Sequence, residues 1–204
     1  MMKKFFKSLM LISVCLGLSA TVNAKTFRYA TTGDILGLDP HANNEGPTNT
    51  MKGNIYGRML HRKADLSLEP DLATKWEKLD ANTWRFSLRR GVKFHNGNDF
   101  NADDVLFSYK RQTQEASDMS FALATIKQIN KVDDYTVDLI TKGPDPILLL
   151  NMPMFYIVDK EWIEANNAFE VVRASGSTNF ANVNTNGTGP FRVVEWIQDT
   201  RIVL

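Results

Sequence analysis

Three histidines, His41, His61 and His95, one adjacent acid pair, Asp103-Asp104, and one glycine-rich stretch, Gly187-Thr-Gly-Pro190, are the obvious candidates for chemistry in this 204-residue chain. Histidines at ligand spacing would hold a metal. These three are widely separated, and none has a second ligand type at helical spacing, so hydrogen-bonding roles in loops and turns are the better reading. Paired carboxylates would do acid–base work, but adjacent residues on a helix point in different directions. Asp103 and Asp104 fall in a first helical turn, where negative charge is favoured, and read as capping residues. A glycine-rich loop could cradle a phosphate; here no lysine follows, and Pro190 removes a donor, so a turn is favoured. Asn186-Gly-Thr188 matches a glycosylation acceptor, a pattern short enough to arise by chance. Trp76, Trp84 and Phe86 could form a stacking platform, but their strand alternation makes core packing the default. Gly-x-Ser-x-Gly, His-Glu-x-x-His, Gly-x-x-x-x-Gly-Lys-Ser/Thr and Gly-x-Gly-x-x-Gly are all absent. No catalytic residue, metal site or cofactor is expected, and the chain does not read as an enzyme.

The elements that must position any site follow from local pattern. Trp84, Phe86 and Leu88 alternate with Arg85, Ser87 and Arg89 as a half-buried strand, and Asn96-Gly97 supplies a tight turn. A helix follows: Asn101 can cap it, Asp103 and Asp104 suit its first turn, and Lys110 and Arg111 its last. Two hairpins stand out, Trp76–Leu79 with Thr83–Arg89 around Asp80-Ala-Asn82, and Ile126–Val132 with Tyr135–Thr141 around Asp133-Asp134. Short helices are expected from Asp145-Pro146, with Ile147 to Leu150 buried, and from Asp159, with Trp162 and Ile163 inward. Thr26–Ala30 alternates as a strand, Thr31–Thr50 reads as a loop, and Ser175–Pro190, rich in Asn, Gly, Ser and Thr, as a loop or linker. Mixed strands and few helices without regular βαβ alternation argue for α+β or an irregular α/β fold. Loops after strand ends expose backbone donors and acceptors, and two qualify as binding elements: Thr31-Thr32-Gly33-Asp34 and Asn43-Asn44-Glu45-Gly46-Pro47.

The ends carry their own signals. Lys3, Lys4 and Lys7 precede an apolar run from Ser8 to Val22, and Val22-Asn23-Ala24 offers a cleavage site, so residues 1–24 read as a signal peptide. A membrane span needs about 20 apolar residues, more than this run supplies. Cys15, the only cysteine, lies inside it. Without the three signal lysines, 21 of the 24 basic residues face 23 acidic ones, which gives no reason to expect nucleic acid. At the other end Phe191–Ile197 reads as a strand, Gln198-Asp199-Thr200 as its turn, and Arg201–Leu204 as a return strand that stops at once. A fragment is expected.

The block from Trp84 to Arg111, with Leu88-Arg-Arg-Gly-Val-Lys-Phe-His-Asn-Gly97 and Ala102-Asp-Asp-Val-Leu-Phe-Ser108, resembles the signature of bacterial extracellular solute-binding proteins of family 5, the peptide- and nickel-type receptors of ABC importers. Leu38-Asp-Pro-His41, Glu69-Pro-Asp-Leu-Ala73 with Trp76, Asp133-Asp-Tyr-Thr-Val137 and Gly187-Thr-Gly-Pro-Phe191 fall in the family's order. The resemblance implies a lobe of the class II periplasmic-binding-protein type, α/β in the mixed α+β sense, with an inserted α+β accessory domain and the second lobe missing. Residues 25–59 and 160–204 would belong to the lobe and 60–159 to the accessory domain. It further implies capture of a di- or oligopeptide, or a related small solute, in the periplasm, with delivery to a membrane permease. In peptide-binding members a Glu-Gly pair beyond Leu-Asp-Pro-His lines the cleft; Glu45-Gly46 matches it after one inserted residue. Glu45, Gly46 and Pro47, with Thr32 and Gly33 behind them, are the ligand-binding residues implied. The alternatives are a secreted hydrolase or chaperone on the same scaffold, or a truncated, non-functional product.

Overall fold

A computed structural model describes residues 26–173 and 178–204; the signal-peptide reading of residues 1–24, Cys15 included, lies outside the described residues. The chain divides into Met1–Ala30 and Thr31–Leu204. In the first, Thr26–Ala30 carries no strand, contrary to its alternation. Alternation gives a segment two faces, but a ladder also needs a partner for its backbone groups.

In the second unit, the loop expected to run to Thr50 ends at helix α1 (Gly46–Ile55). Glu45 caps it, accepting the Thr48 N–H at 2.9 Å, and Pro47 sits in the first turn, where a missing N–H costs nothing. Two glycines and two asparagines make this a poor helix by propensity, and burial of Thr48, Met51, Lys52 and Ile55 sustains it. Strands β1 (Leu60–Arg62) and β2 (Leu68–Pro70) pair antiparallel, His61 opposite Glu69. Strands β3 (Ala73–Lys78), β4 (Thr83–Leu88), β5 (Ile126–Asp133) and β6 (Thr136–Thr141) form an antiparallel sheet in the order β3-β4-β6-β5. Trp76 lies opposite Phe86, and Phe86 opposite Val137, so both expected hairpins form and share one sheet.

Helix α2 (Ala102–Gln112) is capped by Asn101 as expected, and Asp104 completes a reciprocal capping box. Asn101 accepts the Asp103 N–H at 2.7 Å, and Asp104 reaches back to the Asn101 N–H at 2.9 Å. Asn101→Ala should therefore cost about 1 kcal/mol, read as a lower midpoint in urea unfolding with an unchanged slope.

Two apolar cores fill the unit. One gathers Phe86, Leu88, Val137 and Leu139 from the sheet, Phe94 and Phe100 from the turn after β4, and Ala102 and Val105 from α2; Trp76 and Trp84 pack on its flank. The other gathers Ile35, Leu38, Met51, Ile55, Tyr56, Val158 and Ile163. Phe107 places α2 in both layers of packing.

Helix α3 is shorter than expected, Leu148–Asn151, because Asp145 first accepts the Ile147 N–H and closes a turn. Only Leu148 of that stretch is fully buried; Ile147 and Leu150 are 51% and 46% exposed. Helix α4 (Lys160–Ala165) is capped by Asp159, with Ile163 buried and Trp162 half-buried. Within the stretch expected to be loop, Phe180–Val183 forms a short helix, α5, through a reciprocal Asn179–Asn182 capping box. Strands β7 (Glu195–Ile197) and β8 (Arg201–Val203) form the C-terminal hairpin, narrower than Phe191–Ile197 suggested, with Asp199 at a φ of 57° in its turn.

Candidate ligand-binding site

Beneath the two loops proposed to bind ligand lies a buried ionic frame. The Arg111 guanidinium, fully buried, donates to both oxygens of the buried Asp39 carboxylate at 2.8 and 2.6 Å and to the Ala168 carbonyl at 3.1 and 3.0 Å. Burial alone would raise the Asp39 carboxyl, but the guanidinium brings it below its usual value. His41 Nε2 faces the Tyr156 carbonyl at 3.0 Å and therefore carries the hydrogen, leaving Nδ1 to accept from Arg111 at 3.1 Å. Burial and the neighbouring cation hold this imidazole neutral, down to about 3. The Leu38-Asp-Pro-His41 segment is thus bonded to the last turn of α2, and Arg111 is a buried partner rather than a solvated charge at a helix end.

The Thr31–Leu36 turn and the first turn of α1 meet through Thr48, whose hydroxyl accepts the Leu36 N–H at 2.9 Å. Thr32 and Gly33 are exposed; Glu45 and Pro47 are half-buried. Gly46 is exposed, with no atom within 4 Å of where a side chain would begin. One Glu45 oxygen is committed to the cap, so the carboxylate is held in place rather than free to swing. Lys52, buried below, donates to the Asn43 carbonyl and to Asn49, and burial pulls its ammonium down to about 8 against the attraction of Asp39 and Glu45. Asp34 extends the frame to the C-terminal hairpin, accepting from the Asp199 N–H at 2.6 Å and from Trp196 Nε1 at 3.3 Å.

The Gly187-Thr-Gly-Pro190 stretch is pressed onto the C-terminal end of α1, and its Gly187 N–H is taken by His95 Nδ1 at 3.3 Å. The Gly189 N–H donates to the Ile55 carbonyl at 2.8 Å, and a side chain at Gly187 would collide with that same carbonyl. Thr188 accepts the Gly57 N–H at 3.1 Å. His95 holds the stretch from the other side, with Nε2 on the Gly189 carbonyl at 2.9 Å and its backbone N–H on the Gly187 carbonyl at 2.9 Å. Asn186 is buried, and its side chain bonds Asp159 at 2.7 Å, so the glycosylation tripeptide is not presented to solvent. His61 accepts from Arg58 at 3.2 Å, so each histidine is hydrogen-bonded in its own place.

A cleft of about 390 Å³ opens between Leu38, Trp162, Phe180, Val193, Glu195 and Trp196. None of the five residues implied by the resemblance lines it. Its aromatic walls come from three separate elements, a convergence that no local pattern signals.

The chain belongs to the bacterial extracellular solute-binding proteins of family 5, whose middle-region model matches residues 67–204. It is 31% identical to the dipeptide-binding protein of Escherichia coli, over 93% of this chain and 39% of that protein. It is 32% identical to heme-binding protein A of Haemophilus influenzae, over 87% of this chain and 36% of that protein. The solved structure of the periplasmic binding protein DppA from Helicobacter pylori, in complex with the peptide STSA, matches with a TM-score of 0.70 at 29% identity, over 83% of this chain and 36% of that one. The mixed α/β fold is accordingly that of periplasmic binding proteins, and the chain spans less than two fifths of the length of these relatives.

Proposed function

We propose that this chain is part of the substrate-binding component of an ABC importer, a receptor rather than an enzyme, that captures di- or oligopeptides in the periplasm and hands them to a membrane permease. Family membership, together with relatives named for peptide binding, carries this reading. Residues 1–24 would direct export, 25–59 and 160–204 would form a ligand-binding lobe, and 60–159 an accessory domain; the first apolar core draws almost entirely on 60–159, while the second joins the lobe to Phe107, Met119, Tyr156 and Val158 of that stretch. The ligand would lie against Glu45, Gly46 and Pro47, with Thr32 and Gly33 alongside. Gly46 lets a peptide backbone approach closely and opens a helix N-terminus, whose dipole favours negative or carbonyl oxygen. The Glu45 oxygen not used in capping offers a fixed acceptor for an N–H or ammonium group. Contacts from a second lobe, made only when the receptor closes, would shift the open–closed population.

The comparable likeness to a haem-binding protein makes haem the competing solute. Thermal unfolding of the complete receptor with a di- and tripeptide pool, and separately with haem, decides between them. A peptide at about 100 times its dissociation constant should add roughly 2.7 kcal/mol of stability. Stabilisation by haem alone would assign the solute otherwise, and recovery of cleaved peptide would favour a hydrolase on this scaffold.

A further inference from the structure

Asp104 and Asp159 are both buried, at 1% and 0% exposure, and their carboxylates and that of exposed Glu161 come within 4.8 Å of one another. They stand where two helices begin. Asp104 accepts the Asn101 N–H at 2.9 Å from the start of α2 and the Lys160 N–H at 3.0 Å from the start of α4. Asp159 has its charge well satisfied: one oxygen accepts Asn96, Asn98 and Asn186 at 2.9, 2.9 and 2.7 Å, and the other the Trp162 N–H at 2.9 Å. Asp104 has two backbone donors and, among the described residues, no salt-bridge partner. Lys131 on β5 is held between Asp103 and Asp134. From the turn after β4, His95 is engaged with the Gly187–Gly189 stretch. Two helix N-termini favour the Asp104 anion, while burial and two neighbouring carboxylates oppose it.

We propose that Asp104 is a pH-sensitive latch at the junction of α2, α4 and the loop carrying Asn186, tightened when its carboxyl takes up a proton and loosened by carboxylate repulsion when it loses one. Burial first, with Glu161 and Asp159 adding to it, pushes this carboxyl up to about 7. An acid raised in the folded state binds more protons there than in the unfolded chain. Its contribution to stability is therefore largest below the unfolded carboxylate value, near 4, and is lost as pH rises to about 7. His95, lowered by burial, acts in the opposite sense on the acid side, so the difference between wild type and variant is what reports the latch.

The test uses the full chain, wild type, Asp104→Asn and Glu161→Gln, with unfolding followed from pH 8.5 to 5.5. Relative to Asp104→Asn, the wild type should gain about 5 °C in Tm over that range, and the carboxyl carbon of Asp104 should titrate near 7 by NMR. Glu161→Gln, which removes an exposed charge, should shift that midpoint downward. If Asp104→Asn does not fold, the wild-type and Glu161→Gln titrations still decide. An Asp104 midpoint near 4, or parallel pH profiles in wild type and Asp104→Asn, would overturn the latch. Neither result bears on which solute the receptor binds.

Discussion

Arg111→Met should destabilise the chain by about 3–5 kcal/mol, because it leaves the Asp39 carboxylate buried without its cation. Five hydrogen bonds from one guanidinium would be lost, two to Asp39, two to the Ala168 carbonyl and one to His41. Adding Asp39→Asn should return part of the loss, since the double variant no longer buries an unpaired charge. The pH response should reverse as well. In the wild type the lowered Asp39 carboxyl contributes stability that is present above its unfolded value and lost as pH falls through the folded one. In Arg111→Met an isolated buried carboxyl is raised instead, so acidification should stabilise the variant. Urea midpoints of the three chains at pH 7, pH 5 and pH 3 measure both effects, the gain of Arg111→Met relative to wild type between pH 7 and pH 5 and the wild-type loss below about pH 4. Equal stability of wild type and Arg111→Met would mean that the ion pair does not hold the frame.

Gly187→Ala should cost about 2–3 kcal/mol, although it adds a single methyl group. The methyl would point into the Ile55 carbonyl, and backbone at the end of α1 yields far less readily than a side chain would. Moving the stretch aside would also strain the His95 N–H bond to the Gly187 carbonyl. Gly46→Ala is the matching control. Nothing lies within 4 Å of a side chain there and its backbone is helical, so its stability should change by no more than about 0.5 kcal/mol. Denaturant unfolding of the two variants side by side checks the contrast, and an unperturbed Gly187→Ala would remove the clamp.

The parts of the fold written in local pattern were legible. Alternation in β4, the Asp80-Ala-Asn82 and Asp133-Asp134 turns and the Asn101 cap all act over a few residues, and each appears where its residues stand. Helix α1 was not legible, because its glycines and asparagines argue against a helix that tertiary burial then supports. Arg111 read as a charge suited to a helix terminus; its partner lies 72 residues away, and nothing local pairs them. Ile147 and Leu150 read as buried because they are apolar, yet the Asp145 turn shortens the helix and turns them outward. The two candidate loops were named from their place after expected strand ends, and Glu45, Gly46 and Pro47 within them from the resemblance. Their physical basis, the Glu45 cap and the Leu36–Thr48 bond, follows from the packing of α1.

The receptor role rests most directly on whether the protein carries a solute. Native mass spectrometry of the protein bearing this chain, released gently from the cell envelope, should show a non-covalent mass in the peptide range that is lost on denaturation. Finding only the bare protein, with no mass gained on adding a peptide pool or haem, would contradict it.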